Sequence, residues 1–368
     1  MPFINDKLKS YQSVNLNHEE RLDEKYPYKA SKISKMKTRF TFSPENVMHQ
    51  LTRSIYGQHS MIEKVSDMMY VVHADITEKD RPLYVAMFLG PTGVGKTETV
   101  RVIAESIIGE KEGFSRIDMN TLAQEHYAAA MTGAPPGYVG SKEGHTVFNE
   151  EKIEGSFSKP GIVLFDEIEK ADQSVTQSLL NVFDNGQMVL ANGEKTLDFR
   201  NSMIFMTSNI GSRQIFEFAE DHFKAKWKRL LYRMNPTYWG KDENYVLQKI
   251  IHKQLEKQFP PEFINRIDDI IIFNWLGGEA LEPMIDKITD ELNKRLEKHH
   301  CRVELDDQTK EFLIKKGFDK QYGARAIKRL VRQYVEIPLG KVLREEEYTG
   351  QIVTYKAFVE SNKITFKK

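Results

Sequence analysis

The chain has 368 residues, 40% of them apolar, which is enough for two or three packed units, and its 53 basic side chains balance 53 acidic ones. That balance excludes a global field drawing the chain to nucleic acid or to an anionic membrane. The opening residues, MPFINDKLKSYQSV, carry no apolar core of signal-peptide length, and no stretch approaches the roughly 18 apolar residues of a membrane span, so a cytoplasmic protein is expected.

Residues 1–42 are polar and without sustained periodicity, and read as an extended or partly disordered arm. From Phe42 the pattern turns helical: Ser43 is placed to cap, Pro44 to occupy the first helical position and Gly57 to stop the helix. A second helix is expected from about Ser60 to Ile76. Five short apolar runs follow: Leu83 to Leu89, Phe114 to Asp118, Ile162 to Phe165, Met203 to Thr207 and Ile270 to Phe273. Helical stretches separate most of them, which predicts an α/β unit with a five-stranded parallel sheet covered on both faces. After Phe273 the pattern changes. Leu281, Met284, Ile285, Ile288, Leu292 and Leu296 fall at helical spacing, and two strands are expected near Gln351 to Tyr355 and Lys363 to Phe366. The reading is therefore a large α/β domain over 43–273 and a small, mainly helical α+β domain over 274–368. The one cysteine, Cys301, excludes an internal disulfide. It follows His299 and His300 in what reads as a charged helical end, where no metal site is expected.

The string GPTGVGKT fits G-x-x-x-x-G-K-[ST] with Gly90, Gly95, Lys96 and Thr97, between a predicted strand and an amphipathic helix carrying Val100, Ile103, Ala104 and Ile107. Such a loop turns its N–H groups toward phosphate oxygens and predicts binding of ATP or GTP. Lys96 would neutralise the β and γ phosphates, and Thr97 would ligate Mg²⁺. A second string, IVLFDE, sets Asp166 and Glu167 at the C-terminal end of a buried strand, where a parallel sheet opens its crevice. Asp166 would hold Mg²⁺ through water, leaving Glu167 to orient and polarise the attacking water. By its position alone Asn209, ending the strand MIFMTSN, is a turn former whose amide could also reach water and γ-phosphate. Arg266 and Arg325 by themselves read as surface ion-pair partners.

Together these residues resemble the AAA+ ATPases of the Clp unfoldase and disaggregase class, especially the second ATPase module of ClpB and ClpA. The matching strings, in the family's order, are IYGQ (55 to 58), GPTGVGKTE (90 to 98), GAPPGYVG (133 to 140), LFDEIEKA (164 to 171), LDFRNSMIFMTSNIGS (197 to 212), PEFINRIDD (261 to 269) and YGARAIKR (322 to 329). The resemblance implies a small domain that acts as a lid. It implies that Ile55 and Tyr56 line an adenine pocket and that Pro91, Thr92, Gly93, Val94, Gly95, Lys96, Thr97 and Glu98 surround the phosphates. Asn209 matches the first sensor, and Arg325 the second, which also contacts nucleotide. Arg266 matches the arginine finger that reaches the ATP of a neighbouring subunit, so a hexameric ring is implied. Tyr138 and Val139, between Gly137 and Gly140, match the pore loop that grips a threaded polypeptide. The expected function is an ATP-driven protein unfoldase or disaggregase using Mg²⁺.

The chain departs from these relatives in three respects. One ATPase module is read where ClpA and ClpB have two, with no recognisable amino-terminal substrate domain. A longer segment stands between Asn209 and Pro261, near 216–245, with Trp227 and Trp239 among basic and aromatic residues. No Ile-Gly-Phe or Ile-Gly-Leu loop is found there, so no partnership with the ClpP peptidase is expected. Two other readings are a nucleic-acid remodelling or loading ATPase, against which the neutral charge and the Tyr138 loop weigh, and a nucleotide-switched assembly scaffold.

Overall fold

The computed structural model describes residues 37–122, 148–189, 196–219, 243–317, 323–345, 352–360 and 362–368. Tyr138 and Val139, the arm up to residue 36 and most of the segment near 216–245, including Trp227 and Trp239, lie outside the described residues.

The large unit is built on a parallel sheet of five strands: β1 (Tyr84–Leu89), β2 (Ser115–Asp118), β3 (Gly161–Asp166), β6 (Ser202–Ser208) and β7 (Asp269–Ile272), in the spatial order β2-β3-β6-β1-β7. Their apolar runs are continuous because each face of the sheet has its own core. Ala86 and Phe88 of β1, Ile162 and Leu164 of β3, and Met203 and Phe205 of β6 point to one core. It is closed by helices α1 (Pro44–Ser54), α2 (His59–His73) and α3 (Lys96–Ile108). The intervening Val85, Met87, Val163, Phe165, Ile204 and Met206 point to the other, with α4 (Glu150–Glu154), α5 (Gln173–Asn185), α7 (Glu243–Gln258) and α8 (Pro261–Ile264). Helix α6 (Ser212–Ala219) precedes α7, and Ile215 belongs to the same core.

Ser43 caps α1 by accepting the Asn46 N–H at 3.2 Å, with Pro44 opening the helix. The stop falls at Ser54, and Gly57 takes a left-handed turn at φ +70° three residues later. Helix α2 ends at His73, short of the expected Ile76, because Asp75 turns left-handed at φ +54°. In the large unit the pattern missed an antiparallel hairpin of β4 (Gln187–Val189) and β5 (Thr196–Asp198), with only Met188 and Leu197 buried. Two buried residues on three-residue strands leave no periodicity to detect.

The small unit packs α9 (Gly278–Leu296), α10 (Asp307–Gly317), α11 (Gly323–Val331) and α12 (Ile337–Glu345) against a sheet ordered β10-β9-β8. Its strands are β8 (Cys301–Leu305), β9 (Val353–Glu360) and β10 (Lys363–Lys367). Strand β8 corrects the reading of Cys301 as part of a helical end. Helix α9 stops at Leu296, His300 turns left-handed at φ +51°, and Cys301 begins a strand. Cys301 and Val303 face the core and Arg302 and Glu304 face water, an alternation that the preceding charged residues mask. Strand β9 also runs five residues past the expected Tyr355. Among the described residues no helix is long and apolar enough to cross a membrane.

Candidate functional site

The loop between β1 and α3 is shaped by its glycines. Gly90 lies at φ +154°, and a Cβ there would meet the Phe273 carbonyl oxygen at 2.8 Å. Gly95 lies at φ +109°, a left-handed position from which α3 starts without a side-chain cap. A helix start without a side-chain cap leaves the N–H groups of its first residues suited to an anion.

Lys96, the first residue of α3, is 8% exposed. Its ammonium turns back on the loop, donating to the carbonyls of Gly90 at 2.5 Å and Pro91 at 2.8 Å and to Asn209 Oδ1 at 3.0 Å. These satisfy its three donors. Burial pulls its pKa down to about 8, against the opposing pull of the carboxylates of Glu169, Asp166 and Glu167.

Asp166 and Glu167 stand where β3 leaves the sheet. Asp166, 8% exposed, is held by Thr97 Oγ1 at 3.4 Å, by the Thr207 hydroxyl, and by Arg116 Nη2 at 2.5 Å. Glu167 adopts a left-handed backbone at φ +58°, uncommon for a residue with a side chain, which turns its carboxylate away from the line of the strand. Its N–H donates to Thr207 Oγ1 at 3.0 Å, and Asn120 Nδ2 donates to its Oε2 at 2.7 Å. Thr207, 1% exposed, thus ties the two acids to β6. Asp166 Oδ1 facing the Thr97 hydroxyl is an all-oxygen donor set of the hard type Mg²⁺ prefers.

The small unit closes this space. Ala324 N–H donates to the Gly93 carbonyl at 3.0 Å, docking α11 on the phosphate loop. Gln58 clamps the junction between the units, its amide giving to the Asn274 carbonyl and accepting the Asn274 N–H, both at 2.8 Å. Lys287 on α9 donates to the Ser54 carbonyl at 3.2 Å. The cleft between the units has a volume of about 530 Å³.

Of the residues singled out in the sequence, Ile55, Tyr56, Thr92, Gly93, Val94, Gly95, Lys96, Thr97 and Glu98 line this one cavity, together with Asp166, Glu167, Asn209 and Arg325. Pro91 contributes its carbonyl to Lys96. Arg266 stands apart from the cavity wall. Its Nε lies 2.5 Å from Asp184 Oδ1, a charge contact without hydrogen-bond alignment, on a side chain 53% exposed. The sequence reading missed Arg116, Asp118, Asn120 and Thr207, and Leu276, Met284, Lys287 and Lys328 from the second unit. Asp118 pairs in register with Asp166, so the rule that ligands gather at the C-terminal ends of parallel strands could have found the β2 group. The second-unit residues had no local signal.

A parallel sheet carrying a glycine loop, a strand-end acid pair and a helical lid over one cavity defines a P-loop nucleotide-binding module. Family comparison agrees: residues 81–270 match the model described as AAA domain (Cdc48 subfamily), and residues 276–355 match the C-terminal, D2-small domain of ClpB protein. The chain is 42% identical over 375 residues to the ATP-dependent protease ATP-binding subunit-like protein AmiB of Pseudomonas aeruginosa, covering 100% of this chain and 99% of that one. It is 37% identical over 369 residues to an ATP-dependent protease ATP-binding subunit-like protein of Rhodococcus erythropolis, covering 100% and 99%. The chaperone protein ClpB of Bacillus cereus is 38% identical over 294 residues, which are 80% of this chain but 31% of that protein. The chain belongs to the AAA+ ATPases of the Clp family.

Proposed function

We propose that the chain is a cytoplasmic motor that hydrolyses ATP and uses the energy to unfold, disaggregate or remodel proteins by drawing polypeptide through the pore of a hexameric ring. The observation that carries the ATPase part is the convergence of Lys96, Thr97, Asp166, Glu167, Asn209 and Arg325 on one cavity closed by the small unit. Phosphates entering that cavity compete for the Lys96 ammonium, which leaves the Gly90 and Pro91 carbonyls, and the same exchange frees the Asn209 amide. Glu167 takes a proton from the attacking water on the oxygen that Asn120 does not hold. Thr97 and Asp166 would hold Mg²⁺, which supplies charge neutralisation between the β and γ phosphates when bound. Ile55, Leu276, Met284 and Ile288 offer apolar surface for a base. Arg266 points outside its own cavity, which supports a role at the ATP of a neighbouring subunit.

Threading rests on the Gly137-to-Gly140 string and on the ClpB relatives. Two relatives carry names that refer to an ATP-dependent protease, yet the missing Ile-Gly-Phe or Ile-Gly-Leu loop argues that this motor works without the ClpP peptidase. Tyr138→Ala is expected to keep ATP turnover within about threefold, since the residue lies in a separate string from the cavity residues, and to lose release of a folded or aggregated reporter. Normal remodelling by that variant refutes threading. Turnover stimulated by DNA or RNA and not by unfolded protein would instead establish a nucleic-acid remodeller.

A further inference from the structure

The turn after β3 carries a carboxylate that the chemistry above leaves unused. Glu169 sits in a single 3₁₀ turn, Ile168–Lys170, two residues beyond Glu167. Its Oε1 accepts the main-chain N–H of Asn209 at 3.0 Å, across 40 residues of sequence. Its Oε2 is buried with no hydrogen-bond partner. The turn is itself held from outside, since Gln258 Nε2 reaches the Glu169 carbonyl at 3.4 Å.

Asn209 is the first residue beyond β6, where the ladder no longer dictates the backbone. Its N–H has Glu169, while its side-chain Oδ1 meets Lys96. An amide that must align a water against a phosphate has little tolerance, because a misplacement of about 1 Å can cost about 10²-fold in rate. Burying an unpaired carboxylate oxygen opposes folding. A neutral side chain of similar size would fill the same space without that penalty, so packing alone does not account for Glu here.

We infer that Glu169 is a positioning residue for ATP hydrolysis: it fixes the main chain of Asn209 so that the Asn209 amide faces the γ-phosphate and the attacking water. The inference rests on the ATPase reading given under Proposed function and on the reading of Asn209 as a residue whose freed amide reaches water and γ-phosphate. It makes Glu169 act through Asn209, and that is measurable.

The test compares Glu169→Met, Glu169→Gln, Asn209→Ala and the two doubles in the full chain, measuring steady-state turnover and, separately, equilibrium binding of a fluorescent ATP analogue. Asn209→Ala is expected to lower kcat by about 10 to 100-fold, in the range for loss of one aligned polar group. Glu169→Met, which keeps length but offers no acceptor, is expected to lower kcat at least about tenfold with KM and analogue affinity within about threefold. The Met and Ala double should be no slower than Asn209→Ala alone, and Glu169→Gln, which keeps an acceptor, should stay within about threefold of the parent. Losses that multiply in the double, a change confined to KM, or full turnover in Glu169→Met would overturn the inference. If the Met variant does not fold, Glu169→Gln decides: a tenfold loss there refutes the hydrogen-bond anchor, and retained turnover supports it. Full turnover in Asn209→Ala is a different result, which removes the reading of Asn209 itself.

Discussion

Thr207→Val isolates the hydroxyl that ties the acid pair to β6. Valine has nearly the same shape, so the 1% exposed site stays filled while two hydrogen bonds vanish: the one given to Asp166 and the one taken from the Glu167 N–H. A hydrogen bond to a charged group contributes about 1.5–3 kcal/mol and a neutral one about 0.5–1.5 kcal/mol, with a further cost when a buried N–H is left unpaired. The two bonds sum to about 2–4.5 kcal/mol before that cost, which for a unit of this size lowers the melting temperature by about 4–18 °C or more. Losing the Thr207 contact also frees the left-handed Glu167 backbone, so kcat should fall by about 10 to 100-fold with ATP affinity nearly unchanged. Thermal unfolding of the nucleotide-free chain reads the first effect, and turnover against analogue binding reads the second. Thr207→Ser, which keeps the hydroxyl, should recover most of the rate. The reasoning fails if Thr207→Val melts within 1 °C of the parent and turns over ATP at the parental rate.

The buried Lys96 titrates at about 8 when folded and near 10.5 when unfolded, so between those values the unfolded chain binds one proton more. This group therefore makes the nucleotide-free chain more stable as pH rises through that window, and ATP affinity falls about tenfold per pH unit above 8, with proton uptake on binding; calorimetry in buffers of different ionisation enthalpy checks this, and uptake unchanged in Lys96→Met refutes it. Arg266→Ala should bind ATP normally yet lose about 10³-fold in assembled turnover, and mixing it with inactive Glu167→Gln should restore part of the rate, since each supplies what the other lacks. Absence of complementation in co-assembled rings contradicts a finger acting on the neighbour.

Much of the large unit was legible because its chemistry is local. The five strands announced themselves as apolar runs, since two cores bury both faces, and the phosphate loop needs glycines at fixed spacing, Gly90, Gly93 and Gly95, within one turn. Asp166 and Glu167 were legible for the same reason, sitting at the end of such a run. What the pattern did not show depends on contacts between distant segments. Arg116 reaches Asp166 from a neighbouring strand, and Thr207 reaches it from β6, with side chains that look ordinary in their own strings. Cys301 was misplaced because a left-handed turn at His300 separates helix from strand without a glycine or proline to mark it. Lys287 and Lys328 are charged positions on amphipathic helices, and only the docking of one unit on the other makes them part of the cavity wall.

The amide clamp of Gln58 on Asn274 has a mechanical consequence. Gln58 is 1% exposed and closes both hydrogen bonds of Asn274. Residue 274 is thereby tied to the segment that carries Ile55 and Tyr56, so the chain cannot part there without breaking both bonds. The fastening runs past Gly277: Leu276 and Ala280 belong to the core of the large unit, and a Cβ on Gly57 would meet the Ala280 Cβ at 3.1 Å. Lys287 on the Ser54 carbonyl and Ala324 on the Gly93 carbonyl are further polar catches, and both would have to release for the lid to swing away. The small unit is thus fastened beside Ile55 and Tyr56 at its root and on the phosphate loop at Ala324, so the cavity is braced from two ends.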